Sequence, residues 1–173
     1  MDHGLIDILA AKGPHPSLGT HSNTYARVIG SWIGELSRYQ YGKGVASASV
    51  EANFGWVLDG RAVQDVWITP ARADRQSSDA GLNWYGSTLR VFDPATGAWN
   101  TVWTDPMSQL RIELVGRCRG DDIVQIGTRG GRPIRWTFSE IKLGSFAWHG
   151  EILSFDGVTW ALEVEIKFRR VQA

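Results

Sequence analysis

Turn signals recur along most of this chain at short intervals, and no other feature constrains its fold as much. Gly42-Lys43-Gly44, Asp59-Gly60, Asp93-Pro94-Ala95-Thr96-Gly97, Gly120-Asp121, Gly130-Gly131 and Asp156-Gly157 each separate runs rich in β-branched and aromatic residues. Glycine and Asp-Gly pairs supply the positive φ angles that tight hairpins demand. The segments 28–41, 45–58, 61–69, 82–93, 98–105, 108–118, 122–128, 132–140, 143–154 and 158–171 therefore read as strands, about ten of them, with neighbours joined hairpin-fashion. A twisted sheet that wide curls or splits, and closing it removes the edges that would seed aggregation. The expected fold is all-β: an up-and-down antiparallel barrel.

Only the start of the chain reads otherwise. Residues 4–12 can form a short helix and Ser22 to Val28 a second turn, with Gly13-Pro14-His15-Pro16 as the breaker between them. At 173 residues one domain is expected, with 1–27 as lead-in and 28–173 as barrel, burying roughly 70% of the unfolded surface. The polar stretch Pro70 to Gly81 reads as a surface loop or a lid over the barrel mouth.

Charge and cysteine content exclude several classes of function. Eighteen basic residues balance eighteen acidic ones, so no net field gathers nucleic acid or anionic lipid. Cys118 is alone, which rules out an internal disulfide or a cysteine-based zinc site and fits a reducing, cytoplasmic setting. The first residues lack the basic start of a secretory signal, and no run of eighteen apolar residues occurs to cross a membrane.

Nine tryptophans are the unusual item. Each buried indole removes about 200 Å² from water and needs a partner for its N–H, which suits a wide interior. Trp56, Trp67, Trp84, Tyr85, Trp99, Trp103, Trp136 and Trp148 are the candidate walls of a ligand cavity. Polar residues share strand parity with some of them, as in Trp84, Gly86, Thr88 and Arg90, or Trp99, Thr101, Trp103 and Asp105; a ligand cavity uses such groups and a solid core does not. In the last strand Trp160, Leu162, Val164, Ile166 and Phe168 alternate with Glu163, Glu165 and Lys167, predicting one dry face.

Gly30-Ser31-Trp32-Ile33-Gly34-Glu35, at the head of the first strand, resembles the Gly-X-Trp opening of the calycin superfamily. It resembles more closely the Gly-X-Trp-X-Gly start of nitrobindin and fatty-acid-binding-like barrels. The resemblance implies that Trp32 plugs the closed end and that an arginine of the last strand, Arg169 or Arg170, stacks across it. Phe54 to Ile68 and Arg90 to Asp105 also resemble bacterial calycin-like proteins of the domain-of-unknown-function kind. Nitrobindins bind haem through a histidine near the C-terminal end; 158–173 holds none, so haem is not expected, nor any other cofactor.

Three residues are candidates for acid–base or anchoring chemistry. His149 shares a strand face with Glu151, so the two could cooperate in proton transfer or orient a polar ligand atom. Asp65 could be a buried carboxylate held by Arg111 or Arg135 and serve as a general base. Arg111 could itself anchor a ligand, although apolar-inward packing of Leu110, Ile112 and Leu114 opposes it. His15 and His21 lack partners for a metal, and Gly127-Thr128-Arg129-Gly130-Gly131 is a turn with no helix to cradle phosphate. The functional expectation is a carrier for a small apolar, aromatic or polycyclic molecule. The alternative is a cofactor-independent isomerase, cyclase, hydratase or lyase using the same cavity. A homodimer through an outer sheet face is compatible with either.

Overall fold

The computed structural model describes residues 4–40, 44–75 and 82–172. Ten strands form the body: β2 (Gly30–Gln40), β3 (Gly44–Val57), β4 (Ala62–Thr69), β5 (Trp84–Asp93), β6 (Ala98–Asp105), β7 (Leu110–Arg119), β8 (Asp122–Arg129), β9 (Arg132–Ser139), β10 (Ser145–Leu153) and β11 (Trp160–Arg170). Each pairs antiparallel with its sequence neighbours, and β11 also pairs with β2, so the ring closes. Every strand expected from the turn signals is present. The tip 41–43 and residues 76–81 of the expected lid lie outside the described residues.

Alternate side chains enter the lumen. Trp32 and Leu36 on β2, Phe54 and Trp56 on β3, Ile112 and Leu114 on β7, and Ile123 and Gln125 on β8 are buried, while the residues between them are more exposed. Four hairpins and the β4–β5 connection surround one end, called here the mouth. The lead-in lies at the other end: α1 (Gly4–Leu9), which buries none of its residues, the two-residue strand β1 (Ala10–Ala11), a 3-10 segment (Pro16–Ser22) and α2 (Asn23–Ala26). The expected helix 4–12 stops early because Ala10 and Ala11 pair with Val57 and Trp56, beyond the point where β2 runs beside β3.

Tyr25 and Val28 fill the closed end. Trp32 lies beneath them and donates its indole N–H to the Val28 carbonyl at 2.8 Å. The Arg170 guanidinium sits 4.1 Å from the Trp32 ring centre and donates to the Ile29 and Leu143 carbonyls. This stacking is worth roughly 0.5–2 kcal/mol and satisfies carbonyls that the end of a barrel leaves loose. It also accounts for Gly30, where a Cβ would lie 2.3 Å from Arg170 Nη1. Arg169 points outward and is exposed.

One expectation for β11 is corrected. The register against β10 shifts between Gly150 and Glu151, which pair with Val164 and Leu162 and leave Glu163 as an extra residue. Such a bulge turns the strand over. Val164, Ile166 and Phe168 are lumenal, but Leu162 and Trp160 face outward, where the Arg135 guanidinium lies 4.5 Å from the Trp160 ring centre.

Candidate functional site

Seven of the eight aromatic candidates lie on lumenal parity: Trp56, Trp67, Trp84, Trp99, Trp103, Trp136 and Trp148. Tyr85 is the exception, exposed on the outside of β5 beside Arg75. Four of the rings form a chain of edge-on contacts, with centroids 6.3 Å apart for Trp103–Trp136, 5.5 Å for Trp136–Trp148 and 5.4 Å for Trp148–Trp67. Such contacts suit the indole quadrupole and add about 0.5–1.5 kcal/mol each beyond area burial. Phe54, Phe138, Phe146 and Phe168 continue the cluster.

Glycines decide where these rings go. A Cβ on Gly86 would stand 2.4 Å from the Trp103 ring, and one on Gly150 2.9 Å from that of Trp148. Both indoles therefore lie against bare backbone. Solvent access then grades along the wall: Tyr25, Trp32 and Trp99 are sealed, whereas Trp84 and Trp136 are only partly buried.

Asp65 is buried in the lumen, but its partner is neither Arg111 nor Arg135. Arg90 Nη1 of the adjacent strand lies 2.6 Å from Asp65 Oδ2, with both side chains almost wholly buried. The contact is an ion pair without hydrogen-bond alignment: Oδ2, Arg90 Nε and Arg90 Nη1 have no directional partner among the described residues. Asp65 Oδ1 accepts from the Thr88 amide at 2.9 Å. The Arg90 guanidinium lies 4.9 Å from the ring centre of Tyr25, whose hydroxyl receives a hydrogen bond from Gln125 Nε2 at 3.0 Å. Burial is the largest influence on the Tyr25 phenol and pushes its pKa above the ordinary 10.0, against the nearby Arg90 charge and hydrogen bonds with Gln125, Thr101 and Arg90. The buried Nε1 atoms of Trp67 and Trp99 and Oε1 of Gln125 also lack partners among the described residues. Arg90 was legible in its stripe with Trp84, Gly86 and Thr88; Tyr25, supplied by the lead-in, had no comparable signal.

His149 and Arg111 are corrections to the expected lumenal placement. Trp148 and Gly150 turn inward, so His149 and Glu151 must turn outward. His149 Nε2 is 3.4 Å from Glu165 Oε1 and its Nδ1 3.4 Å from Ser139 Oγ, while Glu151 binds Arg135 at 2.6 Å. His149, Ser139, Glu151 and Arg135 line a shallow depression of about 750 Å³ on the outer face of β7–β11, with Val115, Val124 and Ile126 as apolar floor. Arg111 is driven out by inward Ile112 and Leu114 and pairs with Glu113 on the surface.

At the mouth, Arg129 lies on the lumenal parity of β8 and binds the bulge residue Glu163 of β11, with Nη2 2.6 Å from each carboxylate oxygen. β9 and β10 separate those strands in the sheet, so the pair reaches across the barrel opening. Arg38 stands on the lumenal parity of β2, opposite Val164.

No family model matches this chain, and no curated protein does. Among solved structures it is similar to Rv2717c from M. tuberculosis, with a TM-score of 0.64 at 14% identity over 92% of this chain and 99% of the other. It is also similar to the S-type phycobiliprotein lyase CPES from Guillardia theta, with a TM-score of 0.59 at 11% identity over 88% of this chain and 93% of the other. At such identities the likeness is one of fold, spanning nearly the whole of each chain.

Proposed function

We propose that this barrel binds a flat, largely apolar small molecule among the tryptophans of the mouth half of its lumen. The observation that carries the reading is the contrast between the two ends of one wall. Tyr25, Trp32 and Trp99 are sealed at the closed end, whereas Trp84 and Trp136, on lumenal parity, are only partly buried. Apolar rings left partly wet inside a barrel gain on the order of 25 cal/mol per Å² when a ligand covers them. Edge-on neighbours such as Trp103 and Trp148 would give a planar molecule rigid faces whose side-chain entropy is already spent.

Titration with aromatic and terpenoid compounds tests this, with indole emission and melting temperature as readouts. Binding should shift both, and Trp136→Ala should weaken the response. A broad panel that moves neither observable would remove the reading.

A second reading, a cofactor-independent acid–base enzyme in the same cavity, draws support from Asp65 and Arg90, which keep undirected polar atoms beneath the aromatic wall. A structural neighbour titled a phycobiliprotein lyase is in keeping with it at the level of fold. Asp65→Asn separates the two: an enzyme loses turnover far more than affinity, and a carrier changes only in affinity.

A further inference from the structure

The balance of charge at the mouth bears on what kind of apolar molecule would enter. Three arginines stand on lumenal parity there: Arg38 on β2, Arg129 at the end of β8 and Arg132 at the start of β9. Arg129 is neutralised by Glu163. Arg132 is held by the Leu153 carbonyl and lies 4.2 Å from the ring centre of Phe155, neither of which offsets its charge. Arg38 makes no ion pair among the described residues. The other lumenal acid at this end, Asp105, is buried and already accepts from the Tyr85 and Met107 amides and the Ser108 hydroxyl. On lumenal parity at the mouth, among the described residues, three arginines thus stand against the two acids Glu163 and Asp105.

We infer that the ligand is amphipathic, an aromatic or polycyclic body ending in an acidic group, and that Arg38 and Arg129 receive that group at the mouth. The inference rests on the proposed lumenal site. Glu163 then acts as an internal stand-in: a carboxylate on a neighbouring strand that holds Arg129 until the ligand's own anion replaces it. The exchange is nearly even for Arg129, one carboxylate for another, so the preference for an anion comes from Arg38. Both partners of the Arg129–Glu163 pair are about one-third exposed (34% and 32%), so the pair is wet enough to open and is weakened by salt.

Two probes with the same apolar body separate this inference from the reading beneath it: 1-pyrenebutyrate and 1-pyrenebutanol, followed by quenching of indole emission. The butyrate should bind about tenfold more tightly at low salt, with the advantage shrinking as salt is added. Arg38→Leu should remove most of that advantage, Arg129→Gln a smaller part because Arg129 already holds Glu163, and both should leave the butanol unchanged. Glu163→Gln should strengthen butyrate binding alone, and the outward Arg117→Gln should alter neither. If the two probes bind equally, or if Arg38→Leu weakens both alike, the anion site is overturned while the lumenal site stands. If neither probe binds, both fall.

Discussion

Asp65→Ala isolates the least ordinary feature of the interior, a charge pair with side chains 0% and 2% exposed. Removing the carboxylate leaves the Arg90 guanidinium among Tyr25, Phe54 and Phe138, which offer ring faces but no opposite charge. Breaking such a pair costs about 3–5 kcal/mol, because the surviving ion keeps its desolvation penalty and loses its compensation. For a domain of this size that is a fall in melting temperature of about 10 °C or more, or a urea midpoint lower by roughly 2 M. Asp65→Leu with Arg90→Met removes both charges at similar volume and should recover most of the loss. A double-mutant cycle in urea should therefore return a coupling of at least about 2 kcal/mol. If Asp65→Ala costs under about 1 kcal/mol, or if the coupling is near zero, Arg90 finds compensation elsewhere and the account of the buried pair is wrong.

Gly86→Ala places a Cβ 2.4 Å from the Trp103 ring and 2.8 Å from the Thr104 carbonyl, so about 1–3 kcal/mol of overpacking is expected in urea melts, with an altered near-ultraviolet dichroism. Arg170→Met loses the contact with Trp32 and two carbonyl hydrogen bonds and should cost roughly 1–3 kcal/mol; outward Arg169→Met should stay within about 0.5 kcal/mol. Burial raises the Tyr25 pKa in the folded state, so the phenol holds its proton there longer than in the unfolded chain. Its contribution to stability is complete below the unfolded value near pH 10 and is lost as pH rises through the folded value. Tyr25→Phe should flatten the fall in stability above about pH 10; an unchanged slope would contradict this.

The fold was legible because hairpins announce themselves locally. Asp59-Gly60 or Gly130-Gly131 fixes a turn whatever the rest of the chain does, and ten such strands in order leave little choice of topology. What escaped the sequence depends on register. Asp65 stands opposite Thr88, which puts Arg90 on its diagonal, two residues along on the same face. The long connection between β4 and β5 leaves that register unset, so the stripe containing Arg90 was visible but its pairing with Asp65 was not. The bulge at Glu163 is hidden for a related reason. Trp160 to Phe168 alternate without interruption in sequence, and only pairing with β10 shows that the first two apolar positions face outward. His149 follows the period of two: with Trp148 inward, it turns outward.

The same glycines that position the rings set how much of the interior they occupy. A ten-stranded barrel is wider than one of eight, whose side chains just fill the middle, so its rings can either project to the axis or lie along the wall. Gly86 beneath Trp103 and Gly150 beneath Trp148 let two of the largest side chains lie against backbone, while Trp136 and Trp67 reach over the lumen from other strands to meet them, at 6.3 Å and 5.4 Å. At the closed end the filling comes from outside the strands. Tyr25 and Val28 enter from the lead-in and seal what the strands leave open; Gly116 makes room for the Tyr25 hydroxyl, which a Cβ there would approach to 2.7 Å. One lumen thus receives an added plug at one end and a bridge of rings towards the other. A ligand at the mouth would meet the partly buried Trp84 and Trp136, while the Asp65–Arg90 pair stays dry below that bridge.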